Sequence, residues 1–407
     1  MRKGSIFGGA GAGVKAALRQ RPNALASNTL SWTDQICALG NGFVGTERSV
    51  NLQSGVEGRQ FFRMTATGQL LSILPSGQVS ENQVDRLSRL PAQAMPSFAD
   101  LPLAAIVDPE VHENFLFLVE ELPGALHNGL AAIAVAEGQF WVLDSDVLQL
   151  DGSEQRLLHL SLIDADARWV PVPMAALGLD RIRSITAVAA FAPWLYVAVC
   201  DPVAGFALYR CDLGDTSGGF EPVITRGAQR FALNGAVSAM ALGPEGLLIG
   251  TAAMANGKHP VGNWGPELLL LDADGTWDLI LGQPRFSADQ LRFPRSATGP
   301  GFGRPANAAI KAIAQSGLDE RNLICVVVQE YSGKPIPDRA KTQFDHHDYA
   351  GAVAIYTSQD WDNWTRQEAK LPDDSGSVTC VALSQAGILI GHETIGESDR
   401  PATFVRF

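Results

Sequence analysis

Residues 236–251 read AVSAMALGPEGLLIGT: an apolar strand, a tight turn at 243–246, and a second apolar strand. Residues 268–280, LLLLDADGTWDLI, repeat the plan with an Asp/Gly turn and a return strand that opens on an aromatic. Each apolar stretch has strand length rather than helix length and is bounded by turn formers. Two such hairpins in succession predict a four-stranded antiparallel unit.

The first hairpin recurs along the chain. It appears as ICALGNGFVGTE (36–47), AAIAVAEGQFWVLD (131–144) and SITAVAAFAPWLYVAV (184–199). It returns as AIKAIAQSGLDERNLICVVV (309–328) and SVTCVALSQAGILIG (377–391). The second hairpin recurs as LHLSLIDADARWVPV (158–172), LYRCDLGDTSGGFEPV (208–223) and VAIYTSQDWDNWTRQ (353–367), with FRMTATGQLLSIL (62–74) a degenerate copy. A lone sheet of this kind cannot cover both of its apolar faces, whereas radial stacking of several sheets can. The first strand of most units is rich in alanine, which suits an innermost strand where neighbouring sheets crowd. The predicted fold class is therefore all-β, a β-propeller with six blades. Seven is the alternative, because the hairpin at 101–121 is an extra copy or an insertion. The last unit, 377–407, stops after three strands, so the ring is expected to close near the termini. The predicted organisation is a basic, Gly-rich arm at 1–33, able to supply a closing strand, and one propeller domain at 34–407 with an extra segment at 75–128.

Two turns carry a family resemblance. Ser358-Gln359-Asp360 before Trp364, and Asp272-Ala273-Asp274-Gly275-Thr276-Trp277, resemble the Asp-box of sialidase-type propellers, Ser-x-Asp-x-Gly-x-x-Trp. The first copy is one residue short and the second is looser. The resemblance implies a structural turn rather than a catalytic site. No residues here are matched to that family's arginine triad, Tyr–Glu pair and catalytic Asp. Neither the WD-repeat nor the kelch signature is present.

The chain of 407 residues has a net charge of -12; residues 1–33 hold five basic residues and no acid, so the remainder carries -17. An acidic body argues against nucleic acid as the partner. Apolar runs are too short to span a bilayer as helices, and Lys15 and Arg19 interrupt any signal-peptide core. The expected location is cytoplasmic or within a particle. Five cysteines, Cys37, Cys200, Cys211, Cys325 and Cys380, each lie in an apolar run with no C-x-x-C pair. They read as buried core residues.

In a propeller the turns within hairpins fall on one face and the remaining connections on the other. The first set is short here. The second includes 75–100, 252–266, 282–308, 329–350 and 392–401, so one face is expected to carry the long loops, where function usually sits. Segment 282–308 interleaves Arg285, Arg292, Arg295 and Arg304 with Phe286, Phe293 and Phe302. Arginine interleaved with aromatics is the chemistry of interface anchors. His259, Trp264 and Tyr331 join these as candidate ligand- or partner-binding residues. His346, His347, Asp348 and His392 are candidate ligands for a divalent metal, although their spacing matches no metal motif. No cofactor is otherwise implied. The P-loop, the Rossmann fingerprint and the nucleophile elbow are all missing, and no catalytic residue is assigned. These features point to a non-catalytic binding or assembly protein with a protein partner, such as a subunit of a larger particle. The alternative is a metal-dependent hydrolase or lyase working at the central mouth.

Overall fold

Apolar residues on both faces of a strand need neighbours on both sides, and the packing shows how they get them. The computed structural model describes residues 29–39, 42–51, 57–65, 69–75, 130–136, 139–144, 155–161, 170–243, 245–252, 265–287, 290–304, 306–315, 323–330, 353–372, 375–384, 387–395 and 402–406. The protein is all-β. Among the described residues the antiparallel strands fall, in chain order, into six sheet units of three or four strands and one two-stranded ribbon, with the first unit joined to the sixth and the fourth to the fifth by backbone pairing. The first is β1 (Thr29–Leu39), β2 (Gly42–Asn51), β3 (Glu57–Thr65) and β4 (Leu70–Pro75). The second is β5 (Leu130–Ala136), β6 (Gln139–Asp144), β7 (Arg156–Ser161) and β8 (Val170–Pro171). The third is β9 (Ser184–Phe191), β10 (Trp194–Cys200), β11 (Ala207–Asp212) and β12 (Glu221–Ile224). The fourth is β13 (Ala236–Gly243), β14 (Gly246–Ala252), β15 (Leu268–Leu271) and β16 (Trp277–Leu281). A two-stranded ribbon, β17 (Arg285–Ser287) and β18 (Gln290–Arg292), comes next. The fifth sheet is β19 (Asn307–Gln315), β20 (Ile324–Glu330), β21 (Val353–Ser358) and β22 (Thr365–Ala369). The sixth is β23 (Ser375–Ser384), β24 (Gly387–Ile395) and β25 (Ala402–Arg406). No helix among the described residues is long and apolar enough to cross a membrane.

Alternate side chains of each strand serve opposite neighbours, as the period of two requires. In the fourth sheet, Leu247, Ile249, Leu269 and Leu271 pack with Tyr196, Ala198 and Leu208 of the third. Leu248, Leu268 and Leu270 pack with Ile310, Val326 and Tyr356 of the fifth. Trp141, Leu143 and Leu157 of the second sheet meet Leu195, Val197 and Val199 of the third. Val327 and Ile355 of the fifth meet Ile388 and Ile390 of the sixth. The series then returns to the start of the chain, because Met64 of the first sheet packs with Ala382, Leu389 and Ala402 of the sixth.

The sixth sheet also bonds to the first through the backbone. β24 pairs β25 over Gly387–Gly391, and its far end pairs β1 through Leu30 with Ile395, Ser31 with Thr394 and Trp32 with Glu393. The fourth sheet treats the fifth in the same way: β14 pairs β15 and then, at Ala252, meets Ala309 of β19. A glycine makes room at each crossing. A Cβ on Gly250 would lie 2.4 Å from Ile310 Cγ2, and one on Gly391 would lie 2.6 Å from Cys380 Sγ and 2.9 Å from Thr33 Cβ. The pairing of first and second strands slips between Leu130 and Ala132, Val237 and Ala239, Asn307 and Ala309, and Val378 and Cys380, so a bulge recurs at equivalent points.

The extension of β24 to Ile395 corrects one expectation. His392 lies inside this strand and is 1% exposed, not in a connecting loop. Its Nε2 is 3.1 Å from Thr403 Oγ1 and its Nδ1 is 3.3 Å from Thr394 Oγ1. The cysteines Cys200, Cys211 and Cys325 are buried and unbridged, as the apolar runs imply. Burial pushes the Cys211 thiol up to about 12 and raises that of Cys325 further.

Candidate functional site

The connection from β12 to β13 holds an unusual backbone. Arg226, Gly227, Ala228, Gln229 and Phe231 have φ of 56°, 58°, 54°, 65° and 53°. Only Gly227 takes this left-handed region without penalty; each of the others costs about 1–2 kcal/mol. Such a run persists only where the surroundings fix it. Gly227 N donates to Phe206 O at 2.9 Å and Asn234 Nδ2 to Gly227 O at 3.2 Å. Arg285 Nε donates to Ala228 O at 2.5 Å, and Arg230 Nη1 to Gly265 O at 2.6 Å.

These bonds converge on Glu267, which is fully buried just before β15. Its carboxylate accepts both Arg285 Nη1 and Nη2 at 2.8 Å, Asn234 Nδ2 at 2.7 Å and Gln283 N at 2.8 Å. Arg230 Nε lies 3.7 Å from Glu267 Oε1. A forked guanidinium against a carboxylate is a strong, oriented contact. Burial pulls the Arg230 guanidinium below its ordinary range, and Glu267 opposes that shift. Two cations share one buried anion, so Glu267 is the group on which both depend.

The following connection repeats part of this device. Arg230 N bonds Gly227 O at 3.1 Å, and Arg304 N bonds Gly301 O at 3.0 Å. Asn307 Nδ2 reaches Gly301 O at 2.7 Å as Asn234 reaches Gly227. Gly-x-x-Arg followed by an Asn just before or at the start of the next first strand is thus a structural repeat.

Arg285 also anchors the β17–β18 ribbon. The Arg285 guanidinium lies 5.6 Å, and that of Arg292 4.3 Å, from the centre of the buried Trp277 ring. Arg292 Nη1 donates to the Trp277 carbonyl. The apolar residues of the ribbon and of the position directly after it face outward: Phe286 is 72% exposed, Leu291 41% and, next to β18, Phe293 66%. Beyond the ribbon, Arg295 binds Glu245 at 2.7 Å, and Trp361 Nε1 donates to the same carboxylate at 3.0 Å. Arg295 and Trp361 hold the Glu245 carboxyl below the usual range. Ser296 Oγ reaches Asp362 O at 3.3 Å. Phe302 is buried, stacked on Tyr356 with centroids 3.8 Å apart and edge-on to Trp364.

Segment 282–308 is therefore not an irregular loop on one face. It starts at Glu267, beside the long connection into β15, and descends to Glu245 and Asp362 in the tight turns at the opposite end. It then returns to Pro266, where Gly301 N bonds the carbonyl at 2.7 Å. Of the residues singled out by sequence, Arg285, Arg292 and Arg295 gather around Trp277 and Asp278, and Phe293 follows Arg292 as an exposed side chain. Arg304 stands apart, 3.7 Å from Glu330. His392 belongs to the sixth sheet. His259, Trp264, Tyr331, His346, His347 and Asp348 lie outside the described residues. Among the described residues no three of His, Cys, Asp and Glu cluster as metal ligands would. The turns that resemble Asp-boxes are structural. Asp272 Oδ1 accepts Asp274 N and Thr276 N at 3.0 and 2.8 Å, and Asp360 Oδ1 accepts Asp362 N and Asn363 N at 3.0 and 2.8 Å. Sequence reading missed Glu267, Arg230 and Asn234. The signal available was an acid directly before an all-leucine strand.

No protein-family model matches the chain, and no curated protein matches it in sequence. Among solved structures it is similar to a Trypanosoma rangeli sialidase, at 9% identity and a TM-score of 0.41, over 92% of this chain and 54% of that one. The chain thus spans about half the length of that sialidase. It is also similar to the SapL1 lectin in complex with α-methyl fucoside, at 10% identity and a TM-score of 0.39, over 91% of this chain and 94% of that one. A Bacillus subtilis arabinanase matches at 12% identity and a TM-score of 0.35, over 68% of this chain and 94% of that one.

Proposed function

We propose that this chain is a β-propeller of six blades, closed by the sixth sheet against the first, and that it works as a binding module for a protein partner. The binding surface in this reading is the β17–β18 ribbon. One observation carries it: Phe286 and Phe293 are exposed at 72% and 66% on a ribbon clamped by the Arg285–Glu267 fork and by Arg292 over Trp277. A mobile loop could bury its phenylalanines; this one is held so that it does not. Exposed aromatics on a rigid support are the residues that anchor protein interfaces. The contact between the sixth and first sheets repeats that between the fourth and fifth, which supports the closed ring.

The test is co-purification from the native source with the wild-type chain and with Phe286→Ser and Phe293→Ser. Each substitution is expected to weaken capture by about 1–3 kcal/mol, as anchors do, without lowering thermal stability. Undiminished recovery of the partner by the doubly substituted chain would remove the ribbon as the binding surface.

A further inference from the structure

Resting on the reading that the ribbon is the docking surface, we infer that its partner is an acidic segment carrying apolar side chains, with Arg226 as the residue that selects for acid. The ribbon does not stand alone. The Arg285 bond to Ala228 O joins it to the left-handed turn, which presents Arg226 and Phe231, the latter 51% exposed, to solvent. The joined surface therefore has three exposed phenylalanines, Phe231, Phe286 and Phe293, with Leu291 among them.

Its charge is opposite to that of the chain. Segments 226–231 and 285–295 hold five arginines and one acid, and with the three carboxylates that pair them, Glu267, Asp278 and Glu245, the surplus is one positive charge in a chain of net charge -12. Four of those arginines are engaged: Arg230 and Arg285 by Glu267, Arg292 by Trp277 and Asp278, and Arg295 by Glu245 and Asp278. Arg226 is exposed and has no ion-pair partner among the described residues. Its backbone is held at a φ of 56° that an arginine rarely adopts. The hydrogen bonds around the turn hold that strain, and they set the Arg226 backbone in the turn that Arg285 joins to the ribbon. A cation fixed beside exposed aromatics, on a body that repels acids elsewhere, complements a segment alternating acid and apolar residues. β18 adds a place to lie, since it pairs β17 on one side and no other strand among the described residues.

The experiment is selection of random twelve-residue peptides, displayed on phage, against the full chain, followed by binding of the recovered peptides to variants. The expected result is enrichment of Asp and Glu together with Leu, Phe or Trp. Binding should fall about tenfold on Arg226→Glu, vanish with Phe286→Ser and Phe293→Ser combined, and weaken as salt rises. Neutral or basic peptides that still need Phe286 and Phe293 would overturn the acidic partner and leave the docking surface standing. Peptides indifferent to both phenylalanines would overturn both, whereas ribbon-dependent capture of a glycan or of duplex DNA with no peptide recovered would overturn the peptide partner and leave the ribbon as a binding surface.

Discussion

Replacing Glu267 by glutamine changes the charge of a fully buried site while keeping its volume. Among the described residues one carboxylate lies between Arg230 and Arg285, for a surplus of one positive charge there. Glu267→Gln raises the surplus to two and breaks the fork at Arg285. Removing one partner of a buried ion pair costs about 3–5 kcal/mol. Unfolding entropy of about 2.1 cal/mol/K per residue gives about 0.85 kcal/mol/K for 407 residues in a single cooperative transition. The expected fall in Tm is then about 4–6 °C, read by calorimetry. Charge balance is the cause only if it can be restored. Glu267→Gln with Arg285→Met returns the surplus to one, so this pair should be less destabilised than the sum of the single changes, by about 0.5–3 kcal/mol. An unchanged Tm for Glu267→Gln, or strict additivity in the pair, would refute the assignment of Glu267 as the group that holds both cations.

Leu270 is 5% exposed between the fourth and fifth sheets, so Leu270→Ala should lower stability by about 2–5 kcal/mol in a denaturant titration. Gly391→Val would push side-chain atoms toward Cys380 and Thr33, at a cost of about 1–3 kcal/mol; partial recovery with Thr33→Ala would place that clash between the sixth and first sheets. Glu245 has a depressed folded pKa, so its contribution is present above the ordinary carboxylate range and is lost as pH falls through the depressed value. Trp361 fluorescence should follow that loss on acid titration, and Glu245→Gln should remove this step from the titration.

The sheets were legible because their signal is local. Residues 236–251 and their copies carry apolar stretches of strand length joined by turn formers, and each became the first and second strands of a sheet. The Asp/Gly turns at 272–276 and 358–364 were equally legible, since an aspartate binding its own following amides needs no distant partner. Glu267 was not legible, because its burial depends on Asn234 and Arg230, which lie 33 and 37 residues earlier in the sequence. The turn at 226–231 was hidden for the same reason: one glycine does not announce five left-handed residues. Arg292 and Arg295 read as candidate partner-binding residues of a long loop, but Trp277 and Glu245, brought in by the fourth sheet, engage them. His392 was misplaced because β24 continues past the end of β25 to meet β1, a strand contributed from the other end of the chain.

The junction of β1 with β24 has a mechanical meaning. It consists of three residue pairs, Leu30–Ile395, Ser31–Thr394 and Trp32–Glu393, whereas β1 is matched to β2 along its whole length from Thr29 to Leu39. Under tension applied at Thr29 and Arg406, load enters β24 through Leu30–Ile395 at one end and Gly387–Arg406 at the other, so both junctions are sheared along the strand, three pairs against five. A stretched molecule would therefore part at this seam while each sheet is still whole, and the sheets would then be drawn out as separate elastic elements.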